Sequence, residues 1–238
     1  MASSFRLRAV FLDAGGTLLH ESPSRWEIYA DAARAHGLSS SAAELREAMI
    51  RAHDELPREL GPHFRYSRGW FEAFIERVFA QRLGLARERL PQLQRELFAR
   101  FEAPGTFRLF PGARELIRSA RALGLKVGVV SNWSESLPGI LAGLGLAEEL
   151  DFTVVSALER CEKPERAIFE LALARSGVNP REAAHVGDCP ERDVRGAGAL
   201  GMLTALVERS GVASAAPADR TCADLFEVER WIRELATT

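Results

Sequence analysis

Short aliphatic and β-branched runs alternate with helical patterns along most of this chain, and that alternation constrains its fold more than any other feature. It is typical of a parallel sheet flanked by helices. Proline and glycine bound two of the helical patterns, at Pro111 and Gly124 and at Pro164 and Gly177. The strands predicted from these runs are Ala9–Leu12, Val127–Val130, Phe152–Val155, Ala183–Val186 and Leu203–Val207.

The segment from about Ser22 to Ala103 follows a different pattern. It has no convincing strand, but it carries helical stripes of apolar residues: Trp26/Tyr29/Ala30/Ala33, Phe71/Phe74/Ile75/Val78 and Leu90/Leu93/Leu97/Phe101. Because so long a connection between two strands must pack as a unit of its own, we predict an inserted all-helical cap at residues 19–103. Residues 1–18 and 104–238 then form an α/β core with a Rossmann-like parallel sheet.

The composition argues against several classes of function. The 238 residues are 47% hydrophobic and 27% charged, which allows a sizeable core. A formal net charge of -2 provides no electrostatic basis for binding nucleic acid or an anionic membrane. The three cysteines are widely spaced and form no disulfide framework, and the N-terminal residues lack a secretory pattern. We therefore expect a cytoplasmic protein whose partner is a small-molecule substrate.

Polar residues follow the predicted strands at the points where the strands end. Asp13 follows the first strand, Ser131 and Asn132 follow the second, Lys163 lies beyond the third, and Asp188 and Asp193 follow the fourth. In a doubly wound sheet, ligands bind outside the carboxyl ends of the strands. Carboxylate oxygens suit Mg²⁺, and the glycine-flanked turn after Asp13 could offer backbone N–H groups to phosphate oxygens.

These residues carry a family resemblance. The stretches Asp13–Leu18, Ser131-Asn132, Lys163-Pro164 and Gly187-Asp188 through Asp193 resemble, in order, the four motifs of the haloacid dehalogenase superfamily. The helical insert lies where that superfamily places its cap. The run from Gly139 to Leu146 is also similar to that of the haloacid-dehalogenase-like hydrolase domain-containing branch.

The resemblance implies a role for each residue. Asp13 would be the nucleophile that forms an aspartyl-phosphate. Mg²⁺ would be held by Asp13, the backbone carbonyl of Gly15 and Asp188, with Asp193 orienting the ligands from a second shell. Ser131, Asn132 and Lys163 would bind the phosphate, with Lys163 also acting in catalysis and Asn132 supporting the Asp13 loop.

Gly15 departs from the family pattern. Active phosphatases of the family carry at this position a second aspartate, which acts as general acid and base, and glycine transfers no proton. Since such help is worth roughly 10²–10⁴-fold, we expect aryl or acyl phosphates to react far better than alkyl phosphates. We also expect Gly15→Asp to raise phosphatase activity, because the gain in rate is worth more than the strain that a positive φ at Gly15 would impose.

Three interpretations remain open. The first is a weak or specialised Mg²⁺-dependent phosphatase of a small phosphorylated metabolite, in which His20, Glu21, a cap residue or the substrate replaces the acid. The second is a 2-haloacid dehalogenase with Asp13 as nucleophile, because halide leaves without a proton; keeping Asp188 counts against it. The third is a catalytically silent phosphate-binding protein. A phosphonate hydrolase is excluded, since it needs a cap lysine and no lysine lies between Met1 and Leu125.

Two further residues are expected to have no chemical role of their own. His185 lies within a predicted strand and is read as a satisfied core histidine. Trp133, directly after Ser131-Asn132, is expected either to border the pocket or to pack at the sheet edge.

Overall fold

The computed structural model describes residues 6–209 and 218–237. Within this part of the chain the strands are β1 (Ala9–Leu12), β2 (Leu19–Glu21), β3 (Glu59–Leu60), β4 (His63–Phe64), β5 (Phe107–Leu109), β6 (Lys126–Ser131), β7 (Phe152–Val155), β8 (Ala183–Gly187), β9 (Leu203–Val207) and β10 (Arg220–Cys222). The α-helices are α1 (Arg25–Ala35), α2 (Ala42–Glu55), α3 (Arg68–Ile75), α4 (Leu90–Glu102), α5 (Ala113–Ala122), α6 (Leu137–Gly143), α7 (Ser156–Glu159), α8 (Arg166–Ser176), α9 (Gly196–Gly198) and α10 (Leu225–Thr237). Two π-helical segments, Glu76–Arg82 and Pro190–Arg195, extend the helical structure.

Six strands form one sheet in the order β10-β9-β8-β1-β6-β7, and every pair in it is parallel. The predicted α/β class is therefore confirmed, and each of the five predicted strands is present. The sixth strand, β10, was not predicted. Because β1 lies between β6 and β8, the chain reverses its direction of strand addition on either side of β1, and a crevice opens there at the carboxyl ends.

Alternate residues of β1 pack into two different cores. Val10 and Leu12 join one cluster with the apolar faces of α5, α6 and α10. Ala9 and Phe11 join a second cluster with α8. Since successive side chains of a strand point to opposite faces, helices cover both sides of the sheet and bury its apolar runs.

The part of the chain between β2 and β5, called the helical segment below, has a hydrophobic cluster of its own. Its buried members include Trp70, Phe79 and Leu93. Ser24 and Ser41 begin α1 and α2 with reciprocal capping boxes, which satisfy backbone donors at the helix starts. The expectation of a segment without strands was wrong in one detail, because β3 and β4 form a hairpin there; strands of two residues are too short to show a period.

Two short antiparallel strands connect the helical segment to the sheet. Leu19 of β2 pairs with Leu109 of β5, and Glu21 pairs with Phe107. The division of the chain at residues 18/19 and 103/104 stays a prediction, and the predicted core also includes residues 1–5, 210–217 and 238, which lie outside the described residues. No helix in the described part of the chain combines the length and apolarity that a membrane span needs.

Candidate active site

The carboxyl ends of the three central strands bring the predicted polar residues together. Asp13 follows β1, Ser131 ends β6, and Asp188 follows β8. Lys163 reaches the same place from the segment before α8. The strand pairs β1·β6 and β1·β8 are in register, with Leu12 opposite both Val129 and Val186, so the residues that follow are placed side by side.

Lys163 and Ser131 converge on one oxygen of Asp13. The Lys163 Nζ lies 2.7 Å from Asp13 Oδ1, and the Ser131 hydroxyl donates to the same oxygen over 2.8 Å. Asp13 is 7% exposed and Lys163 3% exposed, so little water screens this ion pair. Both contacts are made to Oδ1, and neither of them involves Oδ2 of Asp13.

Asp193 is the second partner of Lys163 and is itself almost fully bonded. Its Oδ1 lies 2.6 Å from the Lys163 Nζ, and its Oδ2 accepts from the Cys189 backbone N–H over 3.0 Å. Burial disfavours the charge on Lys163, but the carboxylates of Asp13 and Asp193 outweigh it and raise the pKa of Lys163. Burial likewise opposes the charge on Asp193, yet Lys163 and His185 hold its pKa below the usual range.

His185 is a site residue that the sequence analysis missed. It lies in β8 with 1% exposure, and its Nε2 is 2.9 Å from Asp193 Oδ1. Since a carboxylate only accepts, Nε2 carries the proton and donates. The other ring nitrogen, Nδ1, is buried without a partner among the described residues. A polar residue within an otherwise apolar buried strand was the available signal, and it was read as core packing.

Three carboxylates form a cluster that fits a hard divalent cation. One oxygen from each of Asp13, Asp188 and Asp193 lies within 4.8 Å of the others. Burial, and after it the charges of Asp13 and Asp193, raise the pKa of Asp188 to about 6. Oxygen donors with excess negative charge suit Mg²⁺. Both oxygens of Asp193 already accept hydrogen bonds, whereas the contacts of Asp13 described above use only Oδ1. Asp13 and Asp188 therefore stay the predicted metal ligands, with the Gly15 carbonyl as a predicted third.

Asn132 holds the lysine segment. Its Oδ1 accepts from the Lys163 backbone N–H over 2.7 Å, and its Nδ2 donates to the Lys163 carbonyl over 3.0 Å. The expectation that Asn132 supports the Asp13 loop is therefore revised, because both ends of its amide bind the backbone that presents Lys163. Its direct contact with phosphate stays a prediction.

The indole of Trp133 occupies the space beside Gly15. A Cβ atom on Gly15 would lie 2.7 Å from Cζ3 of Trp133, a contact that requires the ring to move. The ring also packs against Phe107, with 5.5 Å between the ring centroids. Positive φ, at 80°, occurs at Gly16 and not at Gly15. The obstacle to Gly15→Asp is thus the neighbouring ring and not backbone strain, and the expected gain from that single substitution has to be revised.

A cavity of about 920 Å³ lies between the helical segment and the sheet. Its lining is mostly apolar and aromatic and includes Trp26, Tyr66, Phe71, Phe74, Phe98, Asn132 and Trp133. Asp13, Lys163 and Asp188 do not line it. Asn132 and Trp133, which directly follow Ser131, connect the cavity to the polar site.

The two named substitutes for the missing acid are bound to neighbouring groups, although Glu21 also lines the cavity. His20 packs on Phe110 with 4.7 Å between the rings, and its Nδ1 lies 3.0 Å from the Glu21 carbonyl. The Glu21 carboxylate accepts twice from Arg25, over 2.7 and 3.0 Å. The structure therefore gives neither residue a contact with Asp13.

The chain is similar to known proteins along most of its length. The family model of haloacid dehalogenase-like hydrolases matches residues 7–201. The haloacid dehalogenase-like hydrolase domain-containing protein 3 of Bos taurus is 32% identical over 240 residues, which cover 99% of this chain and 94% of that protein. A phosphoserine phosphatase of Thermus thermophilus is 31% identical over 223 residues, which cover 85% of this chain and 89% of that protein.

A solved structure agrees in fold along nearly the whole chain. The HAD phosphatase from Thermococcus onnurineus superimposes with a TM-score of 0.69 at 26% identity, covering 95% of this chain and 98% of that one. The family model matches most of the chain, and a relative that is 32% identical aligns with 99% of it. This chain belongs to the haloacid dehalogenase-like hydrolase family and is a hydrolase.

Proposed function

We propose that this hydrolase is a Mg²⁺-dependent phosphatase that cleaves the monophosphate ester of a small molecule through an aspartyl-phosphate on Asp13. The observation that carries the proposal is the Lys163 ammonium held between Asp13 and Asp193, beside Asp188. A buried cation next to a carboxylate cluster provides both signs of charge that phosphoryl transfer requires.

The chain's own residues divide the work. The bonds from Lys163 and Ser131 to Oδ1 fix the carboxylate of Asp13, so that Oδ2 can attack phosphorus. Lys163 places its charge where the transferring oxygens become more negative. Asp193 and Asn132 hold Lys163 from two sides, by its Nζ and by its backbone. Asp13, Asp188 and the Gly15 carbonyl would bind Mg²⁺, which when bound neutralises charge on the phosphoryl oxygens.

The cavity supports a substrate class. Aromatic and aliphatic side chains dominate its lining, so burial there favours an apolar leaving group over a sugar or an amino acid. We therefore propose phosphate esters of small, largely apolar alcohols or phenols as substrates. The described cysteines are free, as in a reducing compartment, and the cytoplasm remains the proposed location.

A 2-haloacid dehalogenase is the second candidate, and one observation favours it. Trp133 fills the space of a second aspartate, and halide needs no proton in order to leave. The carboxylate cluster of Asp13, Asp188 and Asp193 counts against it, because a metal-free displacement has no use for three converging acids.

The test is a rate measurement on two substrate types. Hydrolysis of 4-nitrophenyl phosphate should require Mg²⁺, should stop when EDTA is added, and should be lost in Asp13→Asn and Asp188→Ala. Halide release from 2-chloropropionate should be absent. Metal-independent halide release without phosphate release would replace the phosphatase by the dehalogenase.

A further inference from the structure

Tyr66 occupies an unusual place at the edge of the cavity. Its backbone has φ 70°, a left-handed conformation that is strained for a residue other than glycine. The turn is closed by the Ser67 N–H, which donates to the Phe64 carbonyl over 2.9 Å. Strain of this kind persists only where the surroundings impose it, and here it directs a tyrosine ring into the cavity beside Asn132 and Trp133.

The ring is held firmly, while its hydroxyl has only a long contact. Trp70 and Phe71 pack against Tyr66 with ring-centroid distances of 6.0 and 6.2 Å. The hydroxyl lies 3.5 Å from Nε2 of His53, at the limit of a hydrogen bond. A rigid ring with a weakly bonded hydroxyl can donate that proton to a bound molecule.

Charged and polar groups link this hydroxyl to the polar site. Asn132, which directly follows Ser131, lies near enough to the hydroxyl to favour its ionised form. Arg192 is close enough for its charge to act on Tyr66, Asp193 and Asp13 alike. Burial, with the charge of Glu162, nevertheless raises the pKa of Tyr66. The hydroxyl is therefore protonated at neutral pH, with a cation nearby to stabilise the tyrosinate.

We propose that Tyr66 is the general acid that replaces the missing aspartate, an inference that rests on the proposed phosphatase function. As Asp13 Oδ2 bonds to phosphorus and the ester P–O bond breaks, the leaving oxygen takes the Tyr66 proton and departs as an alcohol. Water then attacks the aspartyl-phosphate and returns one proton to the tyrosinate. Inorganic phosphate is released, and both Asp13 and Tyr66 are restored.

The packing at Gly15 favours a proton donor from the helical segment over one from the Asp13 loop. With the indole of Trp133 next to Gly15, the strand side of the site has no room for a carboxyl two residues beyond Asp13. A donor must approach from the opposite side, where Tyr66 and His53 line the cavity.

Two substrates of nearly equal shape separate a proton donor from a packing residue. 4-Nitrophenyl phosphate releases a stable phenolate, whereas 4-nitrobenzyl phosphate releases an alkoxide that must be protonated. In Tyr66→Phe, which keeps the ring, we expect kcat for the benzyl ester to fall about 10²-fold and kcat for the phenyl ester to change less than about twofold. Tyr29→Phe, at the chain's other tyrosine, should leave the ratio of the two rates unchanged.

Every outcome of this experiment either supports or overturns the inference. An equal loss for both esters would make Tyr66 a binding or packing residue, and no loss for the benzyl ester would remove it from proton transfer; either result overturns the inference while the phosphatase stands. If the parent protein releases no phosphate from 4-nitrophenyl phosphate with Mg²⁺, the proposed function fails and the inference fails with it.

Discussion

A side chain at position 15 competes with the indole of Trp133 for one space. Gly15→Asp alone should lower the free energy of unfolding by about 1–3 kcal/mol, because the ring is held against Phe107 and gives way only with strain. It should not raise the rate on an alkyl phosphate. Urea unfolding and kcat for 4-nitrobenzyl phosphate measure the two effects.

Removing the indole of Trp133 should allow Gly15→Asp to raise the rate on an alkyl phosphate. In a Trp133→Ala background, Gly15→Asp should exceed Gly15→Ala in kcat about tenfold, less than the roughly 10²–10⁴ of a sole acid, because Tyr66 already donates. The alanine variant carries the same Cβ without the carboxyl and is the matched control. Equal rates for the two double variants would show that a carboxyl here cannot reach the leaving oxygen.

The two lysines of the chain provide a matched pair of substitutions. Lys163→Met should abolish turnover and lower the free energy of unfolding by about 3–5 kcal/mol, because Asp13 and Asp193 are left buried without their cation. Lys126→Met removes an exposed bridge to Asp151 and should cost about 0.2–1 kcal/mol. Similar losses of stability in the two variants would contradict the assignment of Lys163 to a buried network.

At the scale of elements, β8 and the π-helical segment after it are joined through His185 and Asp193. Replacing His185 by Leu removes the Nε2–H donor and should lower the free energy of unfolding by about 1–3 kcal/mol, since Asp193 keeps only Lys163 and the Cys189 N–H. His185→Gln, whose amide can still donate, should recover part of this. Thermal and urea unfolding of both variants check the order, and a leucine variant as stable as the parent would contradict it.

Sequence reasoning succeeded for elements with a clear apolar run or a clear helical period, and it failed for the shortest strands. Runs such as Ala9–Leu12 are apolar throughout because both faces of the sheet are covered, and this pattern is visible locally. Strands β3, β4 and β10 have only two or three residues each, which is too short to show a repeating pattern. No local pattern marks such strands.

The candidate site shows the same limit. Asp13, Ser131, Lys163, Asp188 and Asp193 were predicted because parallel strands deliver their ends to one edge of the sheet. The partners of those residues were not predicted. His185 has no signature beyond its place in a strand, and the contact between Gly15 and Trp133 joins residues far apart in sequence.

At the scale of the whole molecule, the cavity should sort substrates by the apolar area of their leaving groups. Naphthyl phosphate should show a lower KM than phenyl phosphate, because its second ring buries more apolar surface at about 25 cal/mol per Å². Glycerol phosphate should show the highest KM of the three. A KM that is independent of the leaving group would mean that this cavity does not hold it.

The central claim is that Asp13 carries the phosphoryl group during turnover. The direct measurement is mass spectrometry of protein quenched with acid during hydrolysis of 4-nitrophenyl phosphate. The peptide that contains Asp13 should gain the mass of one phosphoryl group with Mg²⁺, and it should gain nothing with EDTA or in Asp13→Asn. Steady phosphate release with Asp13 unmodified under conditions where hydrolysis of the intermediate limits the rate, or a phosphoryl group on another residue, would contradict the account.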